Sequence, residues 1–284
     1  MIIKEKEIAG TVMRLETGRV ARQSNGSVMV TYGETTILAA VNAAKEPRED
    51  LNFFPLQVEY REKHYAGGKI PGGFFKREAR PAENEVLTSR VTDRPIRPLF
   101  PKGFKNETQI MITVLQSDGE NMADVLAGVG ASAALMTSSI PWNGPIASVR
   151  VGRVDGQFII NPTRSEIADS DIELVVSGNQ ETVVMVEGES DGATESEILD
   201  GLKQAHEVIK EIIELQNDLL SEMNVVKDEF IIPEPDASLI SAIDEKLGSQ
   251  VEDIVNIGDK QDRAKAKDDM ISSVLASLEE SYPD

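Results

Sequence analysis

The chain has 284 residues, 40% of them apolar, which is enough for one large domain or two ordinary ones around a real core. It contains no cysteine, which excludes a disulfide scaffold, a thiol nucleophile and any cysteine-ligated zinc or iron–sulfur site. With 29 Lys plus Arg against 49 Asp plus Glu the formal charge is −20, which taken as a total argues against a polyanionic partner.

No apolar run approaches the roughly 18 residues that a membrane span needs. The opening Met1-Ile2-Ile3-Lys4-Glu5-Lys6-Glu7 lacks the apolar segment of a signal peptide. A soluble, cytoplasmic protein with no membrane partner is expected, and the missing cysteines agree with a reducing compartment.

In chain order, the β-branched stretch from Val28 to Val41, broken at Tyr32-Gly33-Glu34, predicts a hairpin. A short helix is expected from about Ala82 to Thr92, opened by Pro81 and halted by Pro95. Gln109 to Leu115 alternates as a strand does. Val125 to Ile140 is uncharged and rich in Ala, Leu and Gly, which predicts a buried, closely packed helix stopped by Pro141. Two more hairpins turn at Asp155-Gly156 and at Gly178-Asn179.

After Gly192 the pattern changes. Thr194 and Glu197 have capping-box spacing, and Ile198, Leu202, Ala205, Ile209, Ile212, Gln216, Leu219 and Met223 then mark a long amphipathic helix. Pro233 and Pro235 read as a linker. Asp236 to Leu247 with Gly248 as its stop, a second capping box at Ser249 and Glu252, and a pattern from Asp259 to Ser281 predict further helices. The fold class is therefore α+β followed by a small all-α domain, divided as 1–228 and 229–284. The helical pattern breaks off at Tyr282-Pro283-Asp284 as though more chain should follow.

Charge is distributed unevenly along this plan. Residues 1–105 carry a net +5 and residues 106–284 a net −25. Screening limits charge effects to about 8 Å at physiological ionic strength, so a local patch outweighs the total. Residues 61–105 hold 11 basic against 5 acidic side chains, together with Tyr65, Phe74, Phe75, Phe100 and Phe104, and mark the place to look for function.

Within that stretch, glycines and Pro71 bracket the pair Phe74-Phe75, and Lys76, Arg77 and Arg80 follow at once. A glycine-rich loop is a poor place to bury two phenylalanines, whereas an exposed aromatic pair beside cations suits single-stranded nucleic acid. Bases stack on the rings for roughly 1–3 kcal/mol each, and Lys and Arg neutralise phosphates. The opposing reading tucks both rings under the loop and leaves the cations as ordinary surface charge; the residues keep both open. Arg90, Arg94 and Arg97 extend a polyanion track at spacings of four and three, unless they pair with Glu83, Glu85 and Asp93.

Other chemistry has little support. Gly67-Gly68-Lys69 is not a P-loop, because Ile70 follows the lysine and Lys63 stands where the first glycine belongs. His206 lies beside Ala205 on the long helix, where packing or solvent explains it, and His64 has no evident partner. Asp118, Glu120 and Asp124 read as a solvated, acidic helix start rather than a cation site.

The segments Gly68-Lys69-Ile70-Pro71 through Thr88-Ser89-Arg90 and Asp93-Arg94-Pro95-Ile96-Arg97-Pro98-Leu99-Phe100-Pro101 resemble the first core domain of the bacterial polynucleotide phosphorylase family. The likeness extends to Gly18-Arg19-Val20-Ala21, Gly26-Ser27-Val28, Asp118-Gly119-Glu120, Ala131-Ser132-Ala133-Ala134-Leu135 and Met185-Val186-Glu187-Gly188, and so covers essentially the whole chain.

That resemblance implies a ribonuclease PH-like (ribosomal S5 domain 2-like) mixed-sheet domain over 1–228 and an acidic helical linker domain over 229–284, truncated. It implies a processive 3′-to-5′ exoribonuclease with inorganic phosphate as co-substrate, which releases nucleoside diphosphates in mRNA degradation and runs in reverse as a polymerase. It further implies magnesium dependence of the full-length enzyme, a homotrimeric ring that admits single-stranded RNA, and possible RNA-degradation complex partners.

Carried onto this sequence, the RNA-binding residues are Phe74, Phe75, Lys76, Arg77, Arg80, Arg90, Arg94 and Arg97. Lys76 stands where the family usually has Arg, which keeps the charge and loses the planar fork. The family places its phosphorolytic centre in a second core domain. The turn at Asp118-Gly119-Glu120-Asn121-Met122-Ala123-Asp124 offers carboxylates and no serine to a phosphate, so no catalytic residue and no bound metal are expected in this chain, and alone it should be inactive. The alternatives are a stand-alone RNA-binding module and a structural interaction module without catalysis.

Overall fold

The computed structural model describes residues 1–48, 51–231, 236–279 and 281–282, and the chain falls into two compact units, Met1–Ile231 and Ile232–Asp284. The expected linker prolines Pro233 and Pro235 lie outside the described residues, as do Pro283 and Asp284.

In the first unit, strands β1 (Ile2–Ile8), β2 (Thr11–Thr17), β3 (Gly26–Tyr32) and β4 (Thr35–Ala43) form an antiparallel meander whose inward residues, such as Leu15, Val30, Ile37 and Val41, are fully buried. The expected hairpin is β3–β4. Its turn requires Gly33, which sits at φ +59° and would bring a Cβ to 2.5 Å from Asn121 Nδ2.

Strand β5 (Leu56–Glu62) pairs in parallel with β6 (Thr108–Gln116), giving the order β1-β2-β3-β4-β6-β5. Parallel neighbours need a crossover, and helix α1 (Glu83–Ile96) supplies it and packs against β5.

Helix α1 runs through Pro95 instead of stopping at Thr92. The proline forfeits only its own donor, and beyond it the C-cap amide, Arg97 N, donates to Asp93 O. Trp142 Nε1 also donates to Ile96 O at 3.1 Å, which fastens this last turn to the core.

Helix α2 (Ala123–Met136) is buried from Val125 through Leu135 and packs on β3 and β4. Strand β7 (Ala147–Val154) lies against its other side. Its glycines make this fit possible: a Cβ on Gly128 would stand 2.3 Å from Ser148 Oγ, and one on Gly130 would stand 3.0 Å from Ala39 Cβ. The helix ends short of the expected Ile140 because Thr137 and Ser138 hydroxyls donate to Ala134 O and Leu135 O, at 3.1 and 2.7 Å.

The second sheet has the antiparallel order β10-β9-β7-β8, from β8 (Gln157–Ile160), β9 (Ile172–Gly178) and β10 (Val183–Ser190), with the single-turn α3 (Arg164–Ile167) between β8 and β9. The turns at Asp155-Gly156 and beyond Gly178 fall where expected. Helix α4 (Glu195–Ser221) opens with the expected capping box: Thr194 N donates to Glu197 Oε2 at 2.7 Å, and the Thr194 hydroxyl accepts from Glu197 N. Its buried stripe of Ala205, Ile209, Ile212, Gln216 and Leu219 faces β7, β9 and β1.

The second unit comprises α5 (Ala237–Leu247), α6 (Gln250–Val255) and α7 (Lys260–Leu278). Asp236 and Asp259 cap α5 and α7 through their side chains. The expected capping box at Ser249 is absent, because Ser249 adopts helical angles (φ −86°, ψ −2°) directly after Gly248 and its side chain accepts no capping bond. Among the described residues no helix is long and apolar enough to cross a membrane.

Candidate nucleic-acid interface

The candidate interface is built on the seam between β5 and α1. Glu85, buried on the first turn of α1, accepts from Glu62 N at 2.8 Å and from Ala82 N at 2.5 Å. One turn on, Ser89 Oγ accepts from Tyr60 N at 3.0 Å. At the far end Arg97 holds Asp93 through two bonds of 2.7 and 2.6 Å, donates to Phe54 O and Leu56 O at 3.1 Å, and lies 5.7 Å over the Phe54 ring. These bonds cover the free edge of β5 and fix the helix along it.

Between β5 and α1 the chain makes a short 3-10 turn (His64–Gly67) and then the glycine-rich loop. Phe74 is 93% exposed and Phe75 80%, with their rings edge to face at 5.4 Å. This removes the reading in which they tuck under the loop. Phe100 and Phe104, grouped with them by sequence, are instead buried in an aromatic cluster with Phe54 and Phe230, with centroids 4.6 to 5.5 Å apart. That cluster packs the core and presents no face to a ligand.

The cations divide in the same way. Arg97 is spent on Asp93 and backbone carbonyls, and Arg94 pairs with Glu187 on β10. Lys76, Arg77, Arg80 and Arg90 are exposed and have no ion pair or side-chain hydrogen bond within the described residues.

Arg80 lines a cleft of about 460 Å³ between the loop stem, the start of α1 and the turn after β6. Lys69 and Arg164 line it too and are likewise unpaired, a pair of cations that sequence reasoning missed. Arg164 comes from the distant α3, so only the folded chain brings it there. Arg90, Arg94 and Arg97 border a second groove of about 510 Å³ beside Leu56 to Val58.

The carboxylates near the cleft are occupied. Glu78 accepts from Lys63 Nζ at 2.5 Å and His64 N at 3.2 Å, and the Lys63 bond foremost holds its carboxyl below the usual range. Glu120 accepts from Ser165 Oγ and Ser165 N, and Asp124 pairs with Arg150.

Asp118 organises its own turn, accepting from Glu120 N (2.9 Å), Asn121 N (2.7 Å), Asn121 Nδ2 (2.6 Å) and Glu34 N (3.2 Å). Desolvation alone would raise its pKa, but these bonds outweigh it and hold the group at about 2. Among the described residues no three acidic or histidine side chains converge on a point that could take a metal ion. His206 Nε2 sits 3.0 Å from Asn179 O and ties α4 to the β9–β10 turn.

Comparison with known proteins agrees with this architecture. The 3′ exoribonuclease family, domain 1, matches residues 12–141, and domain 2 of the same family matches residues 144–208. Polyribonucleotide nucleotidyltransferases of Thermomicrobium roseum, Syntrophotalea carbinolica and Geotalea uraniireducens are 45%, 46% and 47% identical to the chain. The alignments cover 99%, 99% and 96% of it and 36%, 40% and 39% of the relatives, so the chain spans about two fifths of their length.

A crystal structure of rice (Oryza sativa) Rrp46 superposes with a TM-score of 0.60 at 14% identity, covering 73% of this chain and 93% of that one, which shows the shared α+β fold alone. The chain belongs to the 3′ exoribonuclease family and corresponds to the N-terminal ribonuclease PH region of the polyribonucleotide nucleotidyltransferases.

Proposed function

We propose that this chain is the RNA-gripping part of a phosphate-dependent 3′-to-5′ exoribonuclease, with an α+β body over 1–228 and a helical linker over 229–284. Phe74 and Phe75 stack on successive bases of a single strand, while Lys76, Arg77, Arg80 and Arg90 neutralise its phosphates without reading sequence. Arg94 joins them by exchanging Glu187 for a phosphate. Arg97, paired with Asp93, holds α1 in place at the edge of the groove. The observation that carries this reading is the exposure of two adjacent phenylalanines on a glycine-rich loop whose neighbouring cations are unpaired.

Phosphorolysis would be carried out elsewhere in the longer protein, with inorganic phosphate attacking the phosphodiester and a nucleoside diphosphate leaving. In this chain the turn before α2 is closed to an anion. The amides of Glu120 and Asn121, which an incoming phosphate would need, already donate to Asp118, and Gly119 N donates to Ser117 Oγ. The chain alone therefore binds RNA without cleaving it. The family relation further supports a cytoplasmic ring of three copies around a single RNA strand, open to partners in RNA degradation.

The test is equilibrium binding of single-stranded homopolymers. Phe74→Ala with Phe75→Ala should weaken affinity for every sequence while thermal unfolding stays unchanged. Unchanged affinity would refute the proposal and leave a structural module.

A further inference from the structure

The free arm of the RNA loop begins and ends at a clasp. Three consecutive residues at the end of β5 are gripped by two carboxylates from the far side of the loop. Glu62 N donates to Glu85, His64 N donates to Glu78 Oε1 at 3.2 Å, and Lys63 Nζ donates to Glu78 Oε2 at 2.5 Å. The His64 ring adds Nδ1 at 3.8 Å from Glu78 Oε1.

Glu85 belongs to α1 and would be held by the helix in any case. Glu78 does not. It lies within the loop, and among residues 70–81 its carboxylate makes the only hydrogen bonds to the rest of the described residues. Without it the chain would run untethered from Lys69, whose amide donates to His64 O, to Ala82, whose amide donates to Glu85. With it, the mobile part closes just after Arg77, so Phe74, Phe75, Lys76 and Arg77 sit on a short arm projecting from a fixed base.

We infer that Glu78 is a positioning residue: clasped to Lys63 and His64, it sets the reach and direction of the Phe74–Phe75 arm toward single-stranded RNA. This rests on the reading of that arm as the RNA grip. The clasp serves the interface in two ways. It shortens the segment that must be ordered when a base stacks, which is a preorganisation effect. It also turns a carboxylate that would repel phosphate onto a lysine, next to the unpaired Arg80. The sequence shows none of this, because Lys63 and Glu78 stand far apart along the chain and flank the loop from opposite sides.

Glu78→Gln keeps the shape and one acceptor and removes the charge, and it is tested in the 284-residue chain with two readouts. Limited trypsin digestion reports the clasp itself. Cleavage after Lys76 and Arg77 should accelerate about 3- to 10-fold in Glu78→Gln, as expected when local opening becomes easier, while the unfolding midpoint of the first unit does not move. Equal cleavage rates would overturn the clasp.

Binding of a single-stranded 20-nucleotide oligo(A) reports its purpose. Affinity should fall about 3- to 10-fold in Glu78→Gln, and by less than about 2-fold when the same change is made in a Phe74→Ala/Phe75→Ala background, because independent effects would simply add. A merely structural role would lower both backgrounds alike, and simple charge repulsion would raise affinity; either result overturns the inference. If the double phenylalanine variant alone binds as tightly as the parent, the RNA grip fails while the digestion still decides the clasp.

Discussion

Replacing Gln216 by leucine tests how the two sheets are held on either side of α2. Gln216 is 2% exposed, on the face of α4 that packs on the core. Its Nε2 donates to Ile146 O at 2.8 Å, its Oε1 accepts from Ser132 Oγ at 2.7 Å, and that hydroxyl accepts from Ile146 N at 3.0 Å. The three bonds form a closed polar ring joining α4, α2 and the residue that leads into β7, and all three residues are buried. Leucine fills a similar volume but strands the Ile146 carbonyl. The Ser132 hydroxyl can turn back on its own helix, so one persistent orphan is expected, at a cost of about 1–3 kcal/mol.

Trp142 is the only tryptophan in the sequence and is buried in the first unit, so urea unfolding followed by its fluorescence reports this unit. Gln216→Leu should lower the transition midpoint by an amount corresponding to about 1–3 kcal/mol with unchanged slope. Stability within about 0.5 kcal/mol of the parent would refute the argument, since the ring would then hold nothing that packing alone does not.

Gly128→Ala drives a methyl onto Ser148 Oγ, which itself bonds Ser177 Oγ at 2.7 Å, and should cost about 1–3 kcal/mol in the same assay. The Asp118 turn should be sensitive to acid: its pKa of about 2 lies below the unfolded value of about 3.9, so its contribution is complete above the unfolded value and fades as pH falls toward 2. Hydrogen exchange at Glu120 and Asn121 should therefore quicken across that window, and Asp118→Asn should abolish the dependence. Arg80→Gln should flatten the dependence of single-stranded RNA affinity on salt by about 0.7 in log–log slope if it contacts one phosphate. Incubated with poly(A) and inorganic phosphate, the chain alone should release no nucleoside diphosphate above background, and robust release would contradict the closed Asp118 turn.

Much of this was readable from local pattern. The β3–β4 hairpin, the uncharged run of α2 from Val125 on and the capping box of α4 each announce themselves within a few residues, because strand alternation, a lack of charge and a Thr-to-Glu spacing are local consequences of the backbone. Gln216 fell on the apolar stripe of α4 by spacing, although its partners lie on α2 and before β7.

Pro95 misled because its neighbours compensate: the Arg97 amide resumes the helix bonding and Trp142 secures the end. Ser249 misled because a capping box needs an extended residue, and the tight join between α5 and α6 denies one. In the interface, the loop with Phe74 and Phe75 could be found from glycine and aromatic content. Composition does not separate those rings from Phe100 and Phe104, since only the packing of Phe54 and Phe230 draws the second pair inward. Arg90 and Arg97 look alike in sequence and differ because Arg97 reaches Asp93 and the carbonyls of Phe54 and Leu56. Arg164 and the Glu78 clasp depend wholly on which strands are brought together.

The most direct measurement compares the affinity of the unmodified chain for a single-stranded oligo(A) with its affinity for the same strand in a duplex, at one salt concentration. Exposed rings can stack only on bases that are free, so the single strand should bind about 10-fold or more tightly, and the difference should vanish in Phe74→Ala/Phe75→Ala. Equal affinity for the two forms in the unmodified chain would mean that the cations act alone and that the aromatic pair does not grip RNA.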